Sequence, residues 1–179
     1  MKVEMLKYPT EDDWMLCKQC ALVTVSKRAV TPPESAWRRD MLLACHSPVR
    51  VLNFCFKLTD IPYWVSVHLA RHVHATPFVS TQRNDRLGRY DRNEARQDAP
   101  ITMCWFMNAE ELMTIAHKRL CHLAAEETRE IVRSICDLVI AKCPEFRDVL
   151  VPNCVYRGGR CDEFACCGYN KTIREEVVH

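Results

Sequence analysis

Between Ala70 and Arg83 the sequence reads ARHVHATPFVSTQR, which places Arg71, His72, His74, Ser80, Thr81 and Arg83 within fourteen positions. Guanidinium forks bind phosphate oxygens bidentately, and imidazoles and hydroxyls add further donors at short range. The set suits a phosphorylated, planar ligand; the competing reading is a solvated charged loop. Phosphate recognition here must come from side chains and helix N-terminal amides. The chain has four glycines, at 88, 158, 159 and 168, and these build neither a dinucleotide fingerprint nor a phosphate loop.

A second, separable chemistry lies near the C-terminus. In VPNCVYRGGRCDEFACCGY, Cys154, Cys161, Cys166 and Cys167 crowd into fourteen residues beside Gly158, Gly159 and Gly168. Converging thiolates favour tetrahedral zinc, although spacings of six and five are looser than a CxxC knuckle. Cys121 can complete the set, giving Cys121, Cys154, Cys161 and Cys167 as expected zinc ligands; the alternative is free thiols on a flexible end. Cys17 and Cys20 form a CxxC on an amphipathic helix, where small buried hydrophobes are the better reading.

Composition limits what these groups can serve. A chain of 179 residues suits one domain with a sizeable core. Twenty-five Lys and Arg against 23 Asp and Glu leave a formal charge of +2, so no global field favours nucleic acid or a membrane surface. MKVEMLKYPTEDD lacks the apolar core of a secretion signal, and no run approaches the ~20 apolar residues of a membrane span. These features predict a cytoplasmic protein whose twelve cysteines stay reduced.

The elements that position these residues are read from periodicity. Thr10 followed by Glu11, Asp12 and Asp13 predicts a capped helix into WMLCKQCALV, and Pro32-Pro33 open a second in ESAWRRDMLLAC. Leu52, Phe54, Phe56 and Leu58 alternate with polar residues as in a half-buried strand. Pro62 begins a helix, PYWVSVHLAR, that leads into the opening stretch. Arg83 to Arg96 carries five Arg against three acids and reads as a connection rather than core. ITMCWFM reads as a buried strand. Asn108 with Glu111 caps NAEELMTIAHKRLCHL, with Leu112, Ile115, Ala116, Leu120 and Leu123 on one face. A last helix runs from about Glu126 to Lys142 until Cys143-Pro144 stops it. The order predicts an α+β domain over 1–150, with a small antiparallel sheet and several long helices, and a Cys-rich tail over 151–179 packed on it.

The opening stretch resembles the signature of the flavin-dependent thymidylate synthases, an RHR followed at fixed distance by a serine and an arginine. Arg71 and His72 match the first pair, Thr81 falls on the serine, and Arg83 falls on the closing arginine. HSPVRVLNFCFKL is similar to a second family segment through His46, Pro48 and the strand that follows. WFMNAEELMTIAHKRLCHLAAEETREI is similar to a third, which places Asn108 on a flavin-contacting Asn and Arg119 on a nucleotide-contacting Arg. The three segments occur in family order across roughly residues 20 to 150.

The resemblance implies reductive methylation of dUMP to dTMP. Methylenetetrahydrofolate would supply the methylene group and FAD, reduced by NADPH, the hydride, in a homotetramer with active sites where subunits meet. It assigns Arg83 and Arg119 to catalysis; Ser80, Thr81, Arg83, Arg119 and His68 to dUMP; and His46, Arg71, His72, His74, Asn108 and Glu110 to the flavin. The sequence departs from the pattern at Val73 in place of Arg, Arg50 near a family Glu, His68 in place of Gln, and Glu110 and Thr114 in place of Arg and Asn. A negative Glu110 beside the flavin is expected to disfavour its anionic reduced form. Two other readings stand: a same-scaffold flavoenzyme making another 5-substituted pyrimidine such as hydroxymethyl-dUMP, and a non-catalytic zinc-stabilised module that binds nucleic acid through Arg83 to Arg96.

Overall fold

The computed structural model describes residues 1–80 and 93–177, with side chains described to residue 173. The expected positions Thr81 and Arg83 therefore lie outside the described residues, as does most of the Arg83 to Arg96 segment.

Among the described residues, four strands form one antiparallel sheet: β1 (Lys2–Lys7), β2 (Asn53–Pro62), β3 (Thr76–Val79) and β4 (Pro100–Asn108), in the order β1-β2-β4-β3. Seven helices accompany it there: α1 (Glu11–Val23), α2 (Ser35–Leu43), α3 (Tyr63–Ala70), α4 (Ala109–Arg119), α5 (Glu126–Lys142), α6 (Asn153–Tyr156) and α7 (Tyr169–Val177). Short 3-10 turns occupy Ser47–Val51 and Pro144–Phe146. This is the α+β domain with a small antiparallel sheet that the sequence predicts.

The period-2 pattern decides which face of the sheet is covered. Leu52, Phe54, Phe56 and Leu58 are fully buried together with Met103 and Trp105, while Cys55, Lys57 and Cys104 on the other face are half-buried. Phe54 meets Phe146 edge-on at 5.4 Å between ring centroids, and Trp14 of α1 packs on Phe146 at 6.2 Å. Helix α5 adds Ile131, Val132, Ile135 and Val139 to the same core. Burying a Leu or Phe side chain of this kind contributes about 1.5–3 kcal/mol, so the filled face of the sheet dominates the fold's stability.

Local chemistry sets the helix starts. Thr10 and Asp13 form a reciprocal capping box on α1: the Thr10 amide donates to Asp13 Oδ2 (2.8 Å) and the Asp13 amide to Thr10 Oγ1 (3.4 Å). Asn108 caps α4 by accepting the Glu111 amide on Oδ1 at 2.9 Å. Three expectations need correction. β1 and β3 are strands that the alternation in β2 and β4 did not reveal; both are sheet edges, and β3 holds Pro77, which an edge strand tolerates. β4 alternates instead of being buried throughout, with Phe106 37% exposed. Leu123 lies beyond the end of α4 and is exposed, so it does not continue that helix's apolar face.

Among the described residues no helix is long and apolar enough to cross a membrane.

Candidate active site

Helix α4 organises the candidate site because its two ends face different recesses. At its N-terminus the Ala109 amide donates to the Leu52 carbonyl (2.8 Å), which pins the 3-10 turn Ser47–Val51 against the first turn of α4. That contact sets Arg50 opposite Glu110. Arg50 Nε donates to Glu110 Oε2 in a short contact, and Nη2 donates to Oε1 at 3.1 Å. The hydrogen bond to Arg50 holds the Glu110 carboxyl below the usual carboxylate range against some burial, helped by the Arg50 and His74 charges. Arg50, His74, Asn108, Glu110, Glu111 and Thr114 line a polar cleft of about 490 Å3.

This arrangement corrects the expectation about Glu110. Its charge does not stand alone in the cleft, since two of the departures from the family pattern, Arg50 and Glu110, form one ion pair and cancel locally.

At the C-terminal end of α4, Arg119 is held from two sides. Its Nε donates to His72 Nε2 at 2.9 Å, and its Nη2 donates to the His68 carbonyl at the end of α3 at 3.0 Å. His72 is 9% exposed. With Nε2 accepting from Arg119, the ring proton belongs on Nδ1, which faces Glu111 Oε1 at 3.5 Å. Burial pushes the His72 pKa down to about 4, and the adjacent Arg119 charge acts in the same direction. His72 is therefore neutral near pH 7 and serves as an acceptor that orients the guanidinium. Burial, with Arg71 nearby, also lowers the Arg119 pKa from its ordinary value. His72, Lys118, Arg119, Cys121, Ala124 and Glu163 are among the residues lining a second recess of about 280 Å3.

Glu111, His72 and Arg119 together run as a polar line from the cleft to this recess. Sequence reasoning missed Glu111, which it saw only as the partner of the Asn108 cap. The residue is 5% exposed, and burial pushes its carboxyl upward, opposed by His74 and reinforced by Glu110. A charged residue at N3 of a helix carries no mark in the sequence that it faces inward. Trp105, beneath His72 at 6.2 Å between ring centroids, has the buried side-chain N–H without a hydrogen-bond partner among the described residues.

The remaining expected positions are spread more widely. His74 and Asn108 line the cleft; the Asn108 Oδ1 is committed to the helix cap, which leaves its amide NH2 as the donor available there. Arg71 is exposed at the C-cap of α3 and close enough to Arg119 to act on it electrostatically. His68 turns its ring toward Trp64 (5.2 Å) and Thr128 (3.4 Å), so its carbonyl, not its imidazole, faces Arg119. Ser80 pairs with β4: its amide donates to the Thr102 carbonyl (2.8 Å) and its Oγ accepts the Thr102 amide (3.1 Å). His46 is exposed at the start of the 3-10 turn and lines neither recess.

The donor set of the cleft suits a neutral, hydrogen-bonding ring such as a flavin's: Asn108, His74 and Arg50 can donate, and Glu110 and Glu111 can accept. What the cleft lacks among the described residues is a surplus of positive charge for a diphosphate, because Arg50 is already paired. The Arg119 recess has the opposite character. Arg119 and Lys118 line it, Arg71 lies nearby, and Glu163, 3.2 Å from Lys118, is the acid at its rim.

The sequence matches no protein-family model and no curated protein. Solved structures do match. A flavin-dependent thymidylate synthase ThyX from Helicobacter pylori, complexed with FAD and dUMP, superposes with a TM-score of 0.66 at 14% identity over 83% of this chain and 99% of that one. A second structure of ThyX from Helicobacter pylori with FAD and dUMP gives 0.60 at 14% identity, over 76% and 92%. At that identity the likeness speaks to architecture, and the chain has the fold of the flavin-dependent thymidylate synthases.

Proposed function

We propose that the chain is a flavin-dependent enzyme acting on a pyrimidine nucleotide, with dUMP as substrate and dTMP as product. The observation that carries this reading is Arg119, oriented by a neutral His72 and the His68 carbonyl over a cation-bearing recess, in a fold whose solved examples bind FAD and dUMP. A uracil ring with a 5′-phosphate is planar and anionic. Arg119 can fork onto its oxygens, and His72 keeps the fork from turning away. His74, Asn108 and the Arg50–Glu110 pair would hold the flavin ring in the adjacent cleft, with Glu111 between the two. FAD, when bound, would supply the hydride, and the protein the positioning.

The finer parts of the reading rest on the resemblance in sequence. Methylenetetrahydrofolate would supply the carbon and NADPH the reducing equivalents. A homotetramer with active sites at subunit interfaces would add the positive charge for a diphosphate that the described residues of the cleft do not supply. Thr81 and Arg83 would join the nucleotide site, Arg71 the phosphates, and the tail over 151–179 would cover the recess in a cytoplasmic, thiol-preserving setting.

Protein purified after expression should be yellow. Incubation with dUMP, methylenetetrahydrofolate and NADPH, followed by mass spectrometry of the nucleotide, should return dTMP. Hydroxymethyl-dUMP would indicate capture of the one-carbon unit without its reduction, and a colourless protein that leaves dUMP unchanged would reject the reading.

A further inference from the structure

Four cysteines come together beside the candidate site, one shared with the Arg119 recess and three from the tail. Cys121 follows the C-cap of α4, Cys154 lies in α6, and Cys161 and Cys167 lie in the connection between α6 and α7. All four line one small void of about 20 Å3, room for a single atom-sized occupant. The backbone is built to bring them round. Gly158, Gly159 and Gly168 adopt φ of +60°, +86° and +87°, and the Gly159 amide closes a turn on the Cys154 carbonyl at 2.7 Å. The segment is docked by Tyr156 against His117 of α4 (4.4 Å) and by Tyr169 on His122 just beyond that helix (4.1 Å).

We propose that Cys121, Cys154, Cys161 and Cys167 hold one zinc ion. Binding forms four Zn–S bonds and releases the thiol protons to solvent, with no change of oxidation state. As they stand, no three His, Cys, Asp or Glu side chains among the described residues have a geometry that could hold a metal. Closing on an ion requires the four side chains to turn inward, and cysteine χ1 torsions have staggered alternatives of low energy for such a turn. Cys166 is not a ligand: its Sγ donates to Asn170 Oδ1 at 3.1 Å, and it does not line the void. The site ties the tail to the helix that presents Arg119, since Cys121 and Glu163 line both the void and the Arg119 recess.

The test needs no catalytic activity and is independent of the proposed reaction. The full-length chain, purified under reducing conditions and reconstituted with zinc, should retain about one zinc per chain after desalting. Chelation should expose four additional reactive thiols. Cobalt in place of zinc should give intense thiolate-to-metal charge-transfer absorption with tetrahedral visible bands, a signature that reads the ligands directly even if a variant folds poorly. Cys166→Ser should keep the metal, and Cys161→Ser and Cys167→Ser should lose it. A metal content near zero after reconstitution, or loss of metal in Cys166→Ser with retention in Cys167→Ser, would overturn the assignment.

Discussion

The two ends of helix α4 make different sites from the same eleven residues. At the N-terminal end, Asn108, Glu110 and Glu111 surround a cleft whose main ion pair is closed on itself, so it is polar but nearly balanced in charge. At the C-terminal end, Arg119 is buried enough to be lowered in pKa, yet among the described residues its hydrogen bonds go to neutral acceptors, an imidazole nitrogen and a carbonyl oxygen. A cation satisfied by neutral partners keeps its charge available to an arriving anion; a cation paired with a carboxylate does not. By that criterion the nucleotide belongs at the Arg119 end and a ring with mixed donors and acceptors at the Asn108 end.

The largest expected effect separates the two ends by pH. His72 titrates at about 4 in the folded chain against an ordinary value of 6.5, so the unfolded state binds the proton more readily. Stability should therefore be full above pH 6.5, fall as the pH drops from 6.5 to 4, and level off below. The loss attributable to His72 is up to about 3 kcal/mol, because a tenfold difference in proton affinity between the folded and unfolded states corresponds to about 1.4 kcal/mol. Denaturant melts of the parent and of His72→Gln, which keeps an acceptor but does not titrate, check this; equal pH dependence in both would remove His72 from the account.

The legibility of the sequence differs between the ends in the same way. The Asn108 cap could be read three residues ahead of Glu111, β2 from its alternation, and α5 at both bounds, because each depends on chemistry local in sequence. The Arg119–His72–Glu111 line could not be assembled from the sequence, since Arg119 and His72 sit 47 residues apart across a contact that only the folded α3 and α4 create. Arg50 and Glu110 were visible separately as departures but not as partners, for the same reason. β1 and β3 escaped because short edge strands with charges or proline carry a weak periodic signal. His46 and Ser80 show the converse: of the positions matched through motifs, His46 lines neither recess and Ser80 pairs with β4.

Smaller effects sharpen the contrast. Asn108→Ala removes the cap of α4 and should cost about 1 kcal/mol, a fall of roughly 2–4 °C in Tm, and should weaken flavin retention more than dUMP affinity. Calorimetric melting with flavin absorbance read on the same samples checks it. Arg50→Ala breaks an exposed pair, so the melting temperature should stay unchanged within error. It should nonetheless alter flavin affinity by freeing the Glu110 charge in the cleft, and leave dUMP affinity intact. Fluorescence titration with flavin beside calorimetry with dUMP distinguishes these outcomes; a dUMP affinity that falls with Arg50 would merge the two sites into one.

The most direct test of the division is calorimetric titration of dUMP into Arg119→Ala, with bound flavin quantified from the same preparation. Loss of a charge-assisted contact of about 1.5–3 kcal/mol should weaken dUMP roughly 10- to 150-fold while flavin content stays at the parent level. Unchanged dUMP affinity, or loss of flavin with dUMP binding preserved, would contradict the assignment of the nucleotide to the Arg119 end.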